Sequence, residues 1–247
     1  MTERPILFKG SMVRAILENR KTQTRRVIKP QPTSETCWTG VEGVGYVPVR
    51  VDGEIIICPY GEVGDGLWVK ETWIPVHLGS YEPIERGGYI PHYADSIQYA
   101  ADTIHGYHTC WDTYAGKWRS SLFLCRWMSR ITRVIDGIRA QRLQDITEAD
   151  ALAEGISVLP LQSMSDPSAW YESEPGVHQA RSARESYALL WDSINAKPKP
   201  ILGKDHKIDH YVSYPWEDVQ EIRTHRGKPW YVIGNPLVWT LSFKRIE

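Results

Sequence analysis

Phenylalanine is scarce in this sequence, with 3 residues against 11 tryptophans and 13 tyrosines. Aromatic bulk must therefore come from rings that also carry a polar handle. Such rings pack cores and loops, and they also build stacking floors for bases or sugars. The four cysteines, Cys37, Cys58, Cys110 and Cys125, form no CxxC pair. That spacing speaks against a zinc ribbon or a redox dithiol, and free thiols in a reduced, cytoplasmic compartment are expected. No apolar run approaches the ~20 residues of a membrane-spanning helix. Met1–Pro5 is polar and the first apolar run is short, so no secretory signal is expected. An excess of one charge is also missing. Lys and Arg number 29, Asp and Glu 30, for a net charge of −1. Whole-molecule charge does not advertise a polyanion partner, so any nucleic-acid contact must rest on a local patch. Glycine-rich phosphate fingerprints, βαβ alternation and a nucleophile elbow are absent as well.

The 247 residues are enough to bury a substantial core. Ser11 reads as the cap of a helix through Met12, Val13, Ala15, Ile16 and Leu17, with Asn19 in the left-handed position at its end. Val27 and Ile28 read as extended. Tyr46–Val51 and Glu54–Cys58 flank the turn signal Asp52-Gly53, and Leu67–Trp73 is another strand candidate. Residues 77–117 lack periodicity and read as a long inserted loop. Arg130–Ile135 and Ile138–Leu143 read as strand. Thr147 opens a second helix, with Asp150 completing a capping box and Gly155 as the stop. The segment from Ser157 to Gly176 is polar. A third helix runs from about Ala180 to Asn195, with Tyr187, Leu190, Trp191 and Ile194 on one stripe. Residues 196–229 look irregular. Strands at Trp230–Ile233 and Leu237–Arg245 close the chain. The expected fold class is α+β, a small and mostly antiparallel barrel with flanking helices. It forms a single domain over residues 1–247, with insertions at 77–117, 157–180 and 196–229.

The densest polar segment holds Arg20, Lys21, Arg25, Arg26 and Lys29. It reads as a phosphate-binding patch or, more blandly, as a solvated helix end whose cations suit the dipole. A lysine among arginines holds its proton less tightly, and Lys21 could then serve as a base to the Thr24 hydroxyl. The two share a face only where the backbone is turned. Glu154 ends its helix, where the negative dipole end disfavours a carboxylate. That would suit it to donate a proton, although a solvated glutamate at a frayed end is the plain alternative. His105, His108 and Cys110, with Asp112 nearby, have loosely ligand-like spacing. Nothing pairs them with a second ligand set, so neither a metal site nor a cofactor is expected.

Three islands carry a resemblance. The run Ile16-Leu17-Glu18-Asn19-Arg20-Lys21-Thr22-Gln23-Thr24-Arg25-Arg26 resembles the GRKT-type segment of the ASCH domain family, with Asn19 where the family has glycine. Leu143–Ile156 resembles that family's second helix with its terminal acid, and Val238–Ile246 its closing aromatic-rich strand. Gly64–Trp73 and Leu190–Asn195 are similar to segments of a longer ASCH-containing group common in phages and prophages. The resemblance implies a PUA-like barrel. Through the N(4)-acetylcytidine amidohydrolases of the family, it implies hydrolysis of an acyl amide on the exocyclic amine of a cytosine. Lys21 would be the base, Thr24 the nucleophile and Glu154 the proton donor. Arg20, Arg25, Arg26, Arg133 and Arg139, with Trp68, Trp127 and Trp239, are the expected contacts to a modified nucleoside, RNA or DNA. A non-catalytic PUA-like RNA- or nucleotide-binding module is the alternative, and a ribonuclease a third.

Overall fold

The computed structural model describes residues 1–31, 37–41, 45–49, 54–77, 97–102, 114–115, 117–159 and 170–246. Its elements are, in order, β1 (Glu3–Leu7), α1 (Gly10–Leu17), β2 (Gln23–Val27), β3 (Cys37–Val41), β4 (Gly45–Val49), β5 (Gly66–Lys70), β6 (Trp73–His77), β7 (Ile97–Tyr99), β8 (Tyr114–Ala115), β9 (Thr132–Arg142), α2 (Glu148–Ala153), β10 (Ser157–Leu159), β11 (Trp170–Glu172), α3 (Ala183–Asn195), β12 (Lys199–Leu202), β13 (Ile208–Ser213), β14 (Gln220–His225), β15 (Lys228–Ile233) and β16 (Leu237–Arg245). This is an α+β protein, mostly sheet with few helices. No helix among the described residues is long and apolar enough to cross a membrane.

The central sheet has five strands in the order β1-β5-β9-β16-β2. Three of its pairings are antiparallel, and β1 runs parallel to β5. The expected closed barrel is not what the ladder forms. Among the described residues β1 and β2 are edges with no backbone pairing between them. A side chain reaches across instead, since Arg26 Nη2 donates to the Leu7 carbonyl at 2.6 Å.

The strand β16 organises the core because both its faces are covered. Trp239, Leu241 and Phe243 join Ile6, Ile16, Leu67 and Ile135 on one side. Val238 faces the other, against Leu143, Ala151, Tyr187 and Trp191. Period-2 alternation thus feeds two apolar clusters, one beneath α1 and one beneath α2 and α3.

Several expectations shift. The helix α1 begins at Gly10 after Lys9 and has no side-chain cap. Ser11 lies inside it and donates instead to Glu174 Oε1 at 2.6 Å. Asn19 does take the left-handed conformation, at φ 57°. Leu67–Trp73 is two strands, broken at Glu71-Thr72, whereas Arg130–Leu143 is one long strand with a bulge opposite Ser242 and Phe243. Glu54–Cys58 forms no named strand, although Ile56 N donates to the Pro48 carbonyl at 3.0 Å. The Asp52-Gly53 turn lies outside the described residues. The stretch 196–229, expected to be irregular, carries β12, β13 and β14, which join the expected strand β15 in a four-stranded sheet, β12-β13-β15-β14. The polar segment after Gly155 contains the hairpin of β10 and β11.

Candidate active site

The site forms where α1, β2 and α2 meet. After Asn19 the chain turns, and Arg20 N and Lys21 N both donate to the Ala15 carbonyl. Lys21 therefore precedes β2 rather than lying in it, and its side chain is free to turn inward. Glu154 caps the C-terminus of α2, whose start is fixed by the Thr147–Asp150 capping box. Gly155 follows at φ +100°, a conformation that suits glycine. Its bare Cα is needed twice over, because a Cβ there would stand 3.1 Å from Ala15 Cβ and 3.3 Å from Lys21 Cβ. Glycine thus lets the end of α2 press onto α1 and Lys21.

At this junction Lys21 and Glu154 make a buried ion pair of 2.6 Å, with their side chains 0% and 3% exposed. The other two ammonium bonds of Lys21 go to the carbonyls of Gln23 and Glu154, each at 2.8 Å. All three donors are thereby used. Arg25 Nη1 pairs with the second carboxylate oxygen of Glu154 at 3.0 Å. Two cations therefore offset the unfavourable dipole end on which Glu154 sits. Burial lowers the proton affinity of Lys21, opposed by Glu154, with Arg26 and Arg25 lowering it further. The arginine effect expected from sequence is present, but burial is the larger cause.

The buried network extends through Arg25. Its Nη2 lies 3.0 Å from Asp150 Oδ2, yet this contact is bent away from hydrogen-bond geometry. Nε and Nη2 accordingly have no hydrogen-bond partner among the described residues. Tyr187 packs its ring 5.9 Å from the Arg25 guanidinium and lines the same small cavity as Glu154. Burial first, and then the Glu154 charge, push that phenol well above its usual range. Thr24 is 3% exposed in the edge strand β2, opposite Leu241. With Arg25, Arg26, Glu154, Tyr187 and Asn195 it lines a cavity of about 70 Å³. Lys21 makes no hydrogen bond to Thr24 in this arrangement.

The remaining expected contacts divide. Arg26 lines the 70 Å³ cavity and also a larger one of about 340 Å³. Arg139 holds Asp150 in a two-pronged bond at 3.0 Å, one residue removed from Arg25. Arg20 pairs with Glu18 and donates to the Gly155 carbonyl, at the rim. Arg133 serves the fold, because its Nη2 donates to the Ile16 carbonyl at the end of α1. Trp239 is 1% exposed and belongs to the core, so it offers at most an edge to the larger cavity and no open stacking face. Trp68 stands between Lys70 and Arg126, and Trp127 is exposed on a short 3-10 turn; neither lines the two cavities. His105, His108, Cys110 and Asp112 lie outside the described residues. Among the described residues no His, Cys, Asp and Glu cluster could hold a metal.

Sequence reasoning placed Tyr187 only on a helix stripe and Asp150 only in a cap. Nothing local marked either as a neighbour of Glu154. Compared with family models, with curated proteins and with solved structures, the chain matches none.

Proposed function

We propose that this protein is an amidohydrolase that removes a small acyl group from the exocyclic amine of a modified cytosine, on a PUA-like core of ASCH type. The observation that supports this most is the buried Lys21–Glu154 pair, 2.6 Å apart, beside a cavity lined by Thr24. A buried acid and base in contact can exchange a proton without solvent, which suits general acid–base chemistry.

The proposed cycle begins when the proton of the resting ion pair passes from Lys21 to Glu154 and leaves the amine neutral. Substrate closes the gap between Lys21 and Thr24, as catalytic hydrogen bonds often tighten only when substrate is bound. Lys21 takes the hydroxyl proton while Thr24 Oγ1 attacks the acyl carbon. The Arg25 N–H groups without partners stabilise the oxyanion. The C–N bond then breaks, and the departing amine takes the proton of Glu154. Lys21 is now an ammonium and Glu154 a carboxylate, the resting pair. Water next attacks the Thr24 ester and gives a proton to Glu154, and Thr24 Oγ1 recovers its proton from Lys21. The free acid leaves and the starting state returns. The 70 Å³ cavity is several times the space one water needs, which suits a short acyl group.

The test is turnover of N(4)-acetylcytidine by the intact protein and by Thr24→Val, which keeps the shape of the side chain without its hydroxyl. The reading expects deacetylation by the intact protein and a loss of at least about a thousandfold in the variant. Equal turnover by the two proteins would remove Thr24 from the chemistry. The alternative of a binding module without catalysis draws on the larger, basic cavity. It expects ligand binding with no product from any acylated cytosine.

A further inference from the structure

The 340 Å³ cavity has a one-sided charge. It opens between β2, the segment Ile57–Tyr60, the end of α3 and the sheet that follows α3. Arg26, Lys29 and Lys199 line it together with Tyr60, Tyr214 and Trp239, and no acid is among the described residues that line it. Among the described residues no carboxylate pairs with any of the three cations. What they have instead are neutral contacts. Lys199 Nζ donates to Asn195 Oδ1 at 2.8 Å. Lys29 Nζ lies 5.9 Å from the Tyr214 ring centre. Arg26 spends one N–H group on the Leu7 carbonyl, and its buried Nε has no hydrogen-bond partner among the described residues. Burial, then Lys29 and then Arg26, lower the proton affinity of Lys199, so its ammonium lies within reach of the other two charges. Gathering like charges against a partly buried wall is unfavourable unless an anion answers them.

The two cavities are neighbours, since Arg26, Val27 and Asn195 line both. A ligand in the larger one therefore borders the chamber of Thr24 and Glu154. Its volume falls in the range of sites for small organic ligands. Two of its cations, Lys29 just after β2 and Lys199 at the start of β12, play no part in the buried network of Lys21.

We propose that this cavity takes the phosphate of a cytosine nucleotide, so that the substrate is phosphorylated, as a mononucleotide or as a residue within a nucleic-acid strand, rather than a free nucleoside. This rests on the proposed function for the identity of the base. The phosphate would sit among Arg26, Lys29 and Lys199 while the acyl amine points past Arg26 toward Thr24. Arginine and lysine both serve phosphate, the first by paired N–H donors and the second as a point charge.

Isothermal titration of the intact protein with cytidine, cytidine 5′-monophosphate and a short cytosine-containing RNA separates the cases without needing turnover. The expected result is that the monophosphate or the RNA binds at least tenfold more tightly than cytidine. That preference should shrink at least fivefold in Lys29→Gln and in Lys199→Gln, whose folding is checked by thermal melting. Tightest binding by the monophosphate identifies a free nucleotide, and tightest binding by RNA identifies a strand. Equal affinity for cytidine and both phosphorylated ligands overturns the inference, as does a preference unchanged in both variants. If phosphate preference holds but no acylated cytosine is hydrolysed, the cavity assignment stands and the amidohydrolase reading falls. If N(4)-acetylcytidine and its 5′-monophosphate are hydrolysed with equal kcat/KM, the reverse is true.

Discussion

Two groups of cations flank the same edge strand, and they are treated in opposite ways. Lys21 and Arg25 are buried against Glu154 and Asp150, with each positive charge set on a negative one. Arg26, Lys29 and Lys199 gather around a larger cavity with no acid among the described residues of its wall. Buried charge is tolerated when it is paired, so the first group is a network of internal ion pairs, with only Arg25 Nε and Nη2 left without a hydrogen-bond partner among the described residues. In the second, Arg26 and Lys199 are half-buried and Lys29 is exposed. On the proposed reading the difference separates chemistry from recruitment, with a proton moving within the first group and an anion held by the second.

The comparison is broken most severely by removing the acid. Glu154→Ala strands two buried cations and should cost about 3–5 kcal/mol of stability, read by urea unfolding. A loss under about 1 kcal/mol would mean that the pair is not buried in solution. Gly155→Ala comes next. It forces a Cβ into the Ala15 and Lys21 side chains at a positive φ, and should cost about 1–3 kcal/mol while disturbing Lys21 itself. Thr147→Ala removes the cap of α2 and should cost about 1 kcal/mol. The smallest effect sharpens the contrast. Lys199→Gln removes an unpaired cation and should change stability by no more than about 0.5 kcal/mol, in either direction.

A pH series tests the first group by itself. Burial lowers the Lys21 value in the folded protein relative to its ordinary 10.5. The folded state therefore binds this proton less tightly than the unfolded chain. The corresponding stability is fully present above the ordinary value and is lost as pH falls through the lowered one. Wild type should gain stability relative to Lys21→Met as pH rises toward 10.5. Parallel stability curves for the two proteins would contradict the shift.

Much of this frame is legible in the sequence where local signals are strong. Val238–Phe243 alternates cleanly, and it forms the strand with two covered faces. Thr147, Asp150 and Gly155 mark both ends of α2. Asn19 marks the end of α1. The strands β12 to β14 are not legible because they lack that signal, whereas β15 shows at Trp230–Ile233. The strand β14 is exposed from Gln220 through Thr224, so no apolar face sets a period. Ser11 reads as a cap because the apolar stripe starts at Met12, whereas the helix starts two residues earlier, at Gly10. In the site, Lys21 and Glu154 are 133 residues apart. Their pairing depends on α2 packing against the turn after α1, which no local pattern reveals. The second cavity is harder still, because Lys29, Tyr60, Lys199 and Tyr214 come from four separate segments and none is unusual alone.

The most direct test of the central claim is the deacylation of N(4)-acetylcytidine and its 5′-monophosphate, followed by release of acetate, with the intact protein and Thr24→Val side by side. The account expects acetate from the intact protein, faster from the phosphorylated substrate, and a loss of at least about a thousandfold in the variant. Release of no acetate from either substrate by the intact, folded protein would contradict it.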